Sequence, residues 1–248
     1  MANPSAPVVG ICYQRTDGYA LIGQDGSVYT ENCTNFGGAK AIGVDPFVGI
    51  CGARDNDGYW LVDDHGHVYA YGAASYEGGA PSLISGHKIV GMDATGTNLG
   101  YWLVDDHGAV FAYGDATYLG GYSGSLVLPV CAIAARPQGD GYWLAAGDGG
   151  VFAIGAAPFY GSMSGVPLNG PVVSIASTPD GRGYRLFATD GGVFDFGDGV
   201  FEGTMATSQI NKPVSGGCLT PDGEGYWMCT QDGGVFSFGV ANFHGSFA

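Results

Sequence analysis

Two short runs hold the residues best suited to chemistry, Asp63-Asp64-His65 and Asp105-Asp106-His107. Paired carboxylates beside an imidazole can hold a divalent cation or accept hydrogen bonds from sugar hydroxyls. The candidate binding residues are Asp63, His65, Asp105 and His107, joined by Lys88 and Lys212 and by Tyr76, Tyr118 and Tyr122, which lie in turns or short loops. His65-Gly66-His67 has no third histidine or cysteine at metal-ligand spacing, so no metal site is assigned. Asp55-Asn56-Asp57-Gly58 begins like a calcium loop but lacks the distal glutamate, and reads as a turn. The chain contains no G-x-S-x-G elbow, phosphate loop, H-E-x-x-H pair or dinucleotide fingerprint, so no catalytic residue and no cofactor is assigned.

Both acidic runs sit inside a repeat. Gly58 to Gly66 returns letter for letter from Gly100 to Gly108, and its Gly-Tyr start recurs at Gly18, Gly141, Gly183 and Gly225, at spacings of 40 to 42 residues. The units run approximately 8–46, 47–87, 88–128, 129–170, 171–212 and 213–248. Each opens with a β-branched run such as Phe47 to Cys51, turns, and continues into a Gly-Tyr-Trp-Leu-Val strand. An Asp-Gly or Asp-x-Gly hairpin signal follows, read at Asp25, Asp64, Asp106, Asp148, Asp190 and Asp232. A third strand such as Val110 to Gly114 leads to a fourth around Phe159-Tyr160-Gly161. Four short strands per unit without helical periodicity predict an all-β, six-bladed β-propeller of about 41 residues per blade, one body over residues 1–248. Two β-trefoils are the alternative, though no Q-x-W motif occurs and composition does not change between residues 120 and 130.

That architecture absorbs much of the chemistry. Tyr59 and Trp60 point to opposite faces of one strand, so both faces must be covered and the repeated tryptophans belong to the core. Asp64 and Asp106 read as turn residues, which leaves Asp63, His65, Asp105 and His107 as residues the scaffold does not demand. The first unit departs most, with Ala20 for tryptophan, Ser27 for glycine and the polar run Thr30 to Asn35, and reads as the seam of the ring. The connections between units vary while the scaffold repeats, which is where repeat proteins place recognition, and they are expected to share a face with the acidic turns.

Eight basic against 23 acidic residues give a formal charge of −15, which opposes nucleic-acid binding. The first residues show neither a basic nor an apolar leader segment, and no apolar run is long enough for a membrane span. The expected location is a virion, with the bacterial cytoplasm or cell surface as the alternative. Six cysteines without a C-x-x-C spacing read as small buried hydrophobes.

Gly141-Tyr142-Trp143-Leu144, Asp148-Gly149-Gly150-Val151-Phe152-Ala153 and Ala157-Pro158-Phe159-Tyr160-Gly161-Ser162 together resemble a repeat of actinobacterial surface and secreted proteins and of proteins from phages infecting those bacteria. The resemblance covers essentially the whole chain and brings no catalytic residues with it. It implies a propeller-like binding or structural module. The expected function is that of a non-enzymatic phage tail or decoration protein that contacts the host envelope. Its partners would be other virion proteins or an envelope glycan, with no nucleic acid and no membrane insertion, and the chain could form a homo-oligomer. The alternatives are a bacterial carbohydrate-binding lectin and a glycan-active enzyme.

Overall fold

The computed structural model describes residues 3–14, 17–43, 46–53, 57–80 and 82–248. Their strands form six three-stranded antiparallel sheets, each drawn from one repeat in chain order. The first holds β1 (Val8–Gln14), β2 (Gly18–Gly23) and β3 (Val28–Glu31); the second β4 (Phe47–Gly52), β5 (Gly58–Asp63) and β6 (Val68–Gly72); the third β7 (Ile89–Ala94), β8 (Gly100–Asp105) and β9 (Val110–Gly114). The fourth holds β10 (Val130–Ala135), β11 (Gly141–Ala146) and β12 (Val151–Gly155). The fifth holds β13 (Val172–Ser177), β14 (Gly183–Ala188) and β15 (Val193–Gly197), and the sixth β16 (Val214–Leu219), β17 (Gly225–Thr230) and β18 (Val235–Gly239).

The middle strand of every sheet is buried along its whole length, as expected where both faces are apolar. Trp60 and Val62 of β5 pack against Ile89, Met92, Tyr101 and Leu103 of the next sheet. Trp227 and Cys229 of β17 pack in the same way against Val8, Ile11, Tyr19 and Leu21 of the first. One backbone bond recurs between neighbours: Ile89 N donates to Asp64 O at 2.9 Å, with counterparts from Phe47 to Gln24, Val130 to Asp106, Val172 to Gly147, Val214 to Thr189 and, from first repeat to last, Val8 to Gln231. The junction between the third and fourth repeats is packed like the others, with Trp102 against Tyr142 at 5.7 Å.

Among the described residues the expected fourth strand is absent; the backbone around Phe159-Tyr160-Gly161 and its counterparts is irregular. Gly78, Gly161, Gly203 and Gly245 have φ between 134° and 150°, which a strand cannot carry through. Side chains of the core take the carbonyls a ladder would have used. Trp60, Trp102, Trp143 and Trp227 each donate Nε1–H to a carbonyl fifteen residues on, that of Ser75, Thr117, Pro158 and Asn242, at 2.7 to 2.8 Å. The tyrosine that opens the next repeat's middle strand donates to the glycine carbonyl, as Tyr101 does to Gly78 at 2.6 Å.

The cysteines are all free thiols, three buried and three half-buried. The turn containing Asp55 and Asn56 lies outside the described residues.

Candidate functional site

The hairpin turns between second and third strands show which acids the scaffold uses. Asp25, Asp148, Asp190 and Asp232 each accept the N–H two residues on, from Ser27, Gly150, Gly192 and Gly234, at 2.9 to 3.4 Å. In repeats two and three the equivalent place is held by His65 and His107, as the turn bonds from Gly26 to Gly23, Gly66 to Asp63, Gly108 to Asp105 and Gly149 to Ala146 establish. There the turn is secured from two residues earlier. Asp63 Oδ1 accepts the N–H groups of His65 and His67, and Asp105 Oδ1 those of His107 and Ala109. Asp63 and Asp105, expected to be free of scaffold duty, are therefore the buried turn-holders. Asp64 and Asp106, expected to make the turn, are the additional carboxylates.

Around these acids the fold gathers four of the five histidines. His67 Nδ1 meets Asp63 Oδ2 at 2.9 Å, and His65 Nδ1 meets Asp64 Oδ1 at 2.7 Å. His107 Nδ1 meets Asp106 Oδ1 at 2.8 Å, and His87, carried on the connection before β7, meets Asp105 Oδ2 at 2.8 Å. The rings of His87 and His107 stack with centroids 3.7 Å apart and planes 14° from parallel. Lys88 Nζ reaches Asp64 Oδ2 at 2.6 Å, while its own N–H donates to Asp106 Oδ1. Burial pulls the Asp64 carboxyl upward, but Lys88 and His65 outweigh it and hold the group below the ordinary carboxylate range.

Lys88 is itself a departure from the repeat. Its carbonyl accepts the N–H of Asp106, and the same bond is accepted in the other five repeats by Pro7, Pro46, Pro129, Pro171 and Pro213. The connections thus do meet the acidic turns, but among the described residues only here do they bring a cation and an imidazole with them. Lys40 makes a separate contact with Asp25 at 3.1 Å in the first repeat.

The remaining expected residues fall elsewhere. Tyr76 and Tyr118 belong to a second surface, where Phe159, Phe201 and Phe243 occupy the same repeat position two residues before the positive-φ glycine, all 56 to 64% exposed. Asn35 stands there in the first repeat. These rings lie beside the opening residues of the middle strands, whereas the polar cluster lies where β5 and β8 end. Tyr122 is not a free contact residue, since it stacks on Phe152 at 3.7 Å. Lys212 is exposed on the connection between repeats five and six.

A cavity of about 410 Å³ runs between the first strands, lined in part by Cys12, Cys51, Asp93 and Cys218. The Asp93 carboxylate is engaged by the N–H groups of Ala94 and Ala135. Burial lifts the Cys12 thiol well above its ordinary value, the neighbouring Cys218 and Cys33 adding to the effect, so it favours the neutral form.

No family model matches this chain, and no curated protein does. Among solved structures, a structural-genomics protein of unknown function from Bacteroides thetaiotaomicron VPI-5482 is similar with a TM-score of 0.65 at 12% identity, over 94% of this chain and 69% of that one. At that identity the likeness concerns the fold alone. Among the described residues no helix is long and apolar enough to cross a membrane.

Proposed function

We propose that the six sheets form a six-bladed β-propeller spanning residues 1–248 as one body, and that it works as a non-enzymatic binding module. Its setting, following the repeat's resemblance, is a phage particle, as a tail component or decoration that contacts glycans of an actinobacterial envelope.

The observation that carries the glycan reading is the aromatic ring exposed at one position in five successive repeats. A core buries such side chains, and a rigid, exposed ring gives apolar contact area at little cost in conformational entropy. The adjoining backbone is pinned by a tryptophan bond on one side and a tyrosine bond on the other, as at Ser75 and Gly78 around Tyr76. Copies of one weak contact on a rigid body add by avidity when the partner is itself repetitive, as a polysaccharide is. The charge of −15 disfavours polyanionic partners.

Binding of the purified protein to envelope polysaccharide and to a glycan array tests this reading. Tyr76→Ala and Tyr118→Ala are expected to weaken binding modestly one at a time and to abolish it when combined with alanine at Phe159, Phe201 and Phe243, with the β-sheet circular dichroism unchanged. Undiminished binding by the fivefold variant sinks the glycan reading. Co-sedimentation with purified virions supports the particle setting. Glycan binding without it points to a bacterial lectin, and release of soluble fragments to an enzyme.

A further inference from the structure

Repeats two and three build the same acid-histidine unit, Asp64 with His65 and Asp106 with His107. They differ in what stands at the outer edge of the carboxylate. Asp64 Oδ2 receives the ammonium of Lys88, which the chain places one residue before the strand that follows. The equivalent residue for Asp106 is Pro129, one residue before Val130, which has no charge to offer. Among the described residues no hydrogen bond reaches Asp106 Oδ2. His87 is close by instead: one donor atom each of His87, Asp106 and His107 lie within 4.8 Å of one another, the only such trio among the described residues.

We propose that this trio binds a divalent first-row transition ion, with Zn²⁺ as the occupant, in the place that the Lys88 ammonium takes in the preceding repeat. Two imidazole nitrogens and one carboxylate oxygen are the donor set that zinc favours and that calcium and magnesium do not.

The surroundings are prepared for that role. Asp105, almost wholly buried, already accepts two backbone N–H groups at Oδ1. Its Oδ2 is an acceptor for His87 Nδ1–H, which fixes the tautomer and leaves the Nε2 lone pair of His87 available to an ion. A carboxylate behind a ligating imidazole is the usual outer support of zinc histidines, and it raises the basicity of the ligand nitrogen. The two stacked rings must part slightly for both lone pairs to converge on one ion, so capture should end the stack. With three protein ligands and a half-exposed rim, the ion keeps an open position for water or for a donor from whatever docks on this end of the molecule. The inference needs only the cluster, and stands whether or not the aromatic surface binds glycan.

Calorimetric titration of the chelator-treated full chain with Zn²⁺ alone is the test. One ion per chain is expected, with displacement of the His87 and His107 ring-proton resonances in NMR spectra. His107→Gln and Asp106→Asn, which leave the Asp105 turn bonds in place, should each weaken binding by at least about tenfold, a loss that even an outer-shell partner can cause. His65→Gln, on the unit already occupied by Lys88, should bind as the parent does. Absence of binding, or binding equally weakened by His65→Gln, or unaffected by His107→Gln and Asp106→Asn together, overturns the proposal. Thermal denaturation of each variant without metal establishes that it is folded before it is titrated.

Discussion

Arg185 occupies the position that holds tryptophan in four other repeats, and it reproduces much of what tryptophan does there. Its Nη2 donates to the carbonyl of Val200, fifteen residues on, and its guanidinium lies 3.9 Å over the Tyr226 ring. Asp195, where repeats two to four carry alanine, supplies the counter-charge. The exchange is incomplete, because Arg185 Nη1 and Asp195 Oδ2 are buried without hydrogen-bond partners. Removing the cation alone leaves a buried carboxylate, so Arg185→Ala should destabilise by about 3–5 kcal/mol, whereas Arg185→Trp with Asp195→Ala should be neutral or stabilising by up to ~4 kcal/mol. Urea unfolding midpoints decide, and a double variant as unstable as the single would be against it. Asp25 allows a pH prediction at the same scale. Burial raises this carboxyl, but Ser5, Ser27 and Lys40 together bring it down from 3.8 to about 2. A folded-state value below the unfolded one means stability that is complete above roughly pH 4 and lost as pH falls towards 2. The melting-temperature difference between parent and Asp25→Asn should therefore be widest above pH 4 and shrink towards pH 2; a difference that does not change with pH contradicts it.

At the scale of elements, the tyrosine opening each middle strand ties one repeat to the one before. Tyr59, Tyr101, Tyr142, Tyr184 and Tyr226 donate to Gly37, Gly78, Gly120, Gly161 and Gly203, and Tyr19 donates to Gly245 in the last repeat. Burial pushes the Tyr59 and Tyr101 hydroxyls up to about 12, against the pull of the N–H groups they accept, so they stay neutral donors at any ordinary pH. Tyr101→Phe strips Gly78 O and Glu77 N of a partner and should cost roughly 1–3 kcal/mol; an unchanged denaturation midpoint would show that water replaces the hydroxyl. The strands that these tyrosines open were legible in the sequence because Gly-Tyr-Trp-Leu-Val is apolar at successive residues and the turns carry Asp and Gly. The fourth strand was not, because Phe159-Tyr160-Gly161 has strand-like composition while Tyr160 N and Gly161 O bond the Tyr184 hydroxyl and the preceding Pro158 O bonds the Trp143 indole. The site was half legible for a similar reason. The Asp-Asp-His runs are visible in one dimension, but His87 stands eighteen residues before Asp105, and only the packing of a connection onto a turn brings them together. The assignment of turn duty to Asp63 rather than Asp64 likewise needs the backbone, since both stand near the glycine.

For the whole molecule the question is whether the last repeat is held to the first as firmly as any inner pair. Val8 N to Gln231 O, at 2.9 Å, is the same bond that joins every other neighbouring pair, and Tyr19 reaches Gly245 as Tyr101 reaches Gly78. Phe247 packs on Tyr29 with centroids 5.3 Å apart, as Tyr122 packs on Phe152 between repeats three and four. Pro4 and Phe247 both lie against Gly233, so the two ends of the chain meet at one turn. If those contacts hold the last repeat to the first, deletion of residues 241–248 should do more than remove a frayed tail. It exposes Tyr19, Val8 and Trp227 together, and unfolding should begin far below the parent midpoint and lose its single cooperative step. Joining the two ends with a short glycine linker and opening the chain between Ser123 and Gly124, which lie on a connection after β9, keeps every one of those contacts. Permutation at an exposed connection is tolerated where the backbone there is not part of a ladder. The permuted protein should melt cooperatively within a few degrees of the parent while the truncated one does not. Equal melting of parent and truncated chains would mean that the inner five junctions suffice and that the sixth is only an apposition of surfaces.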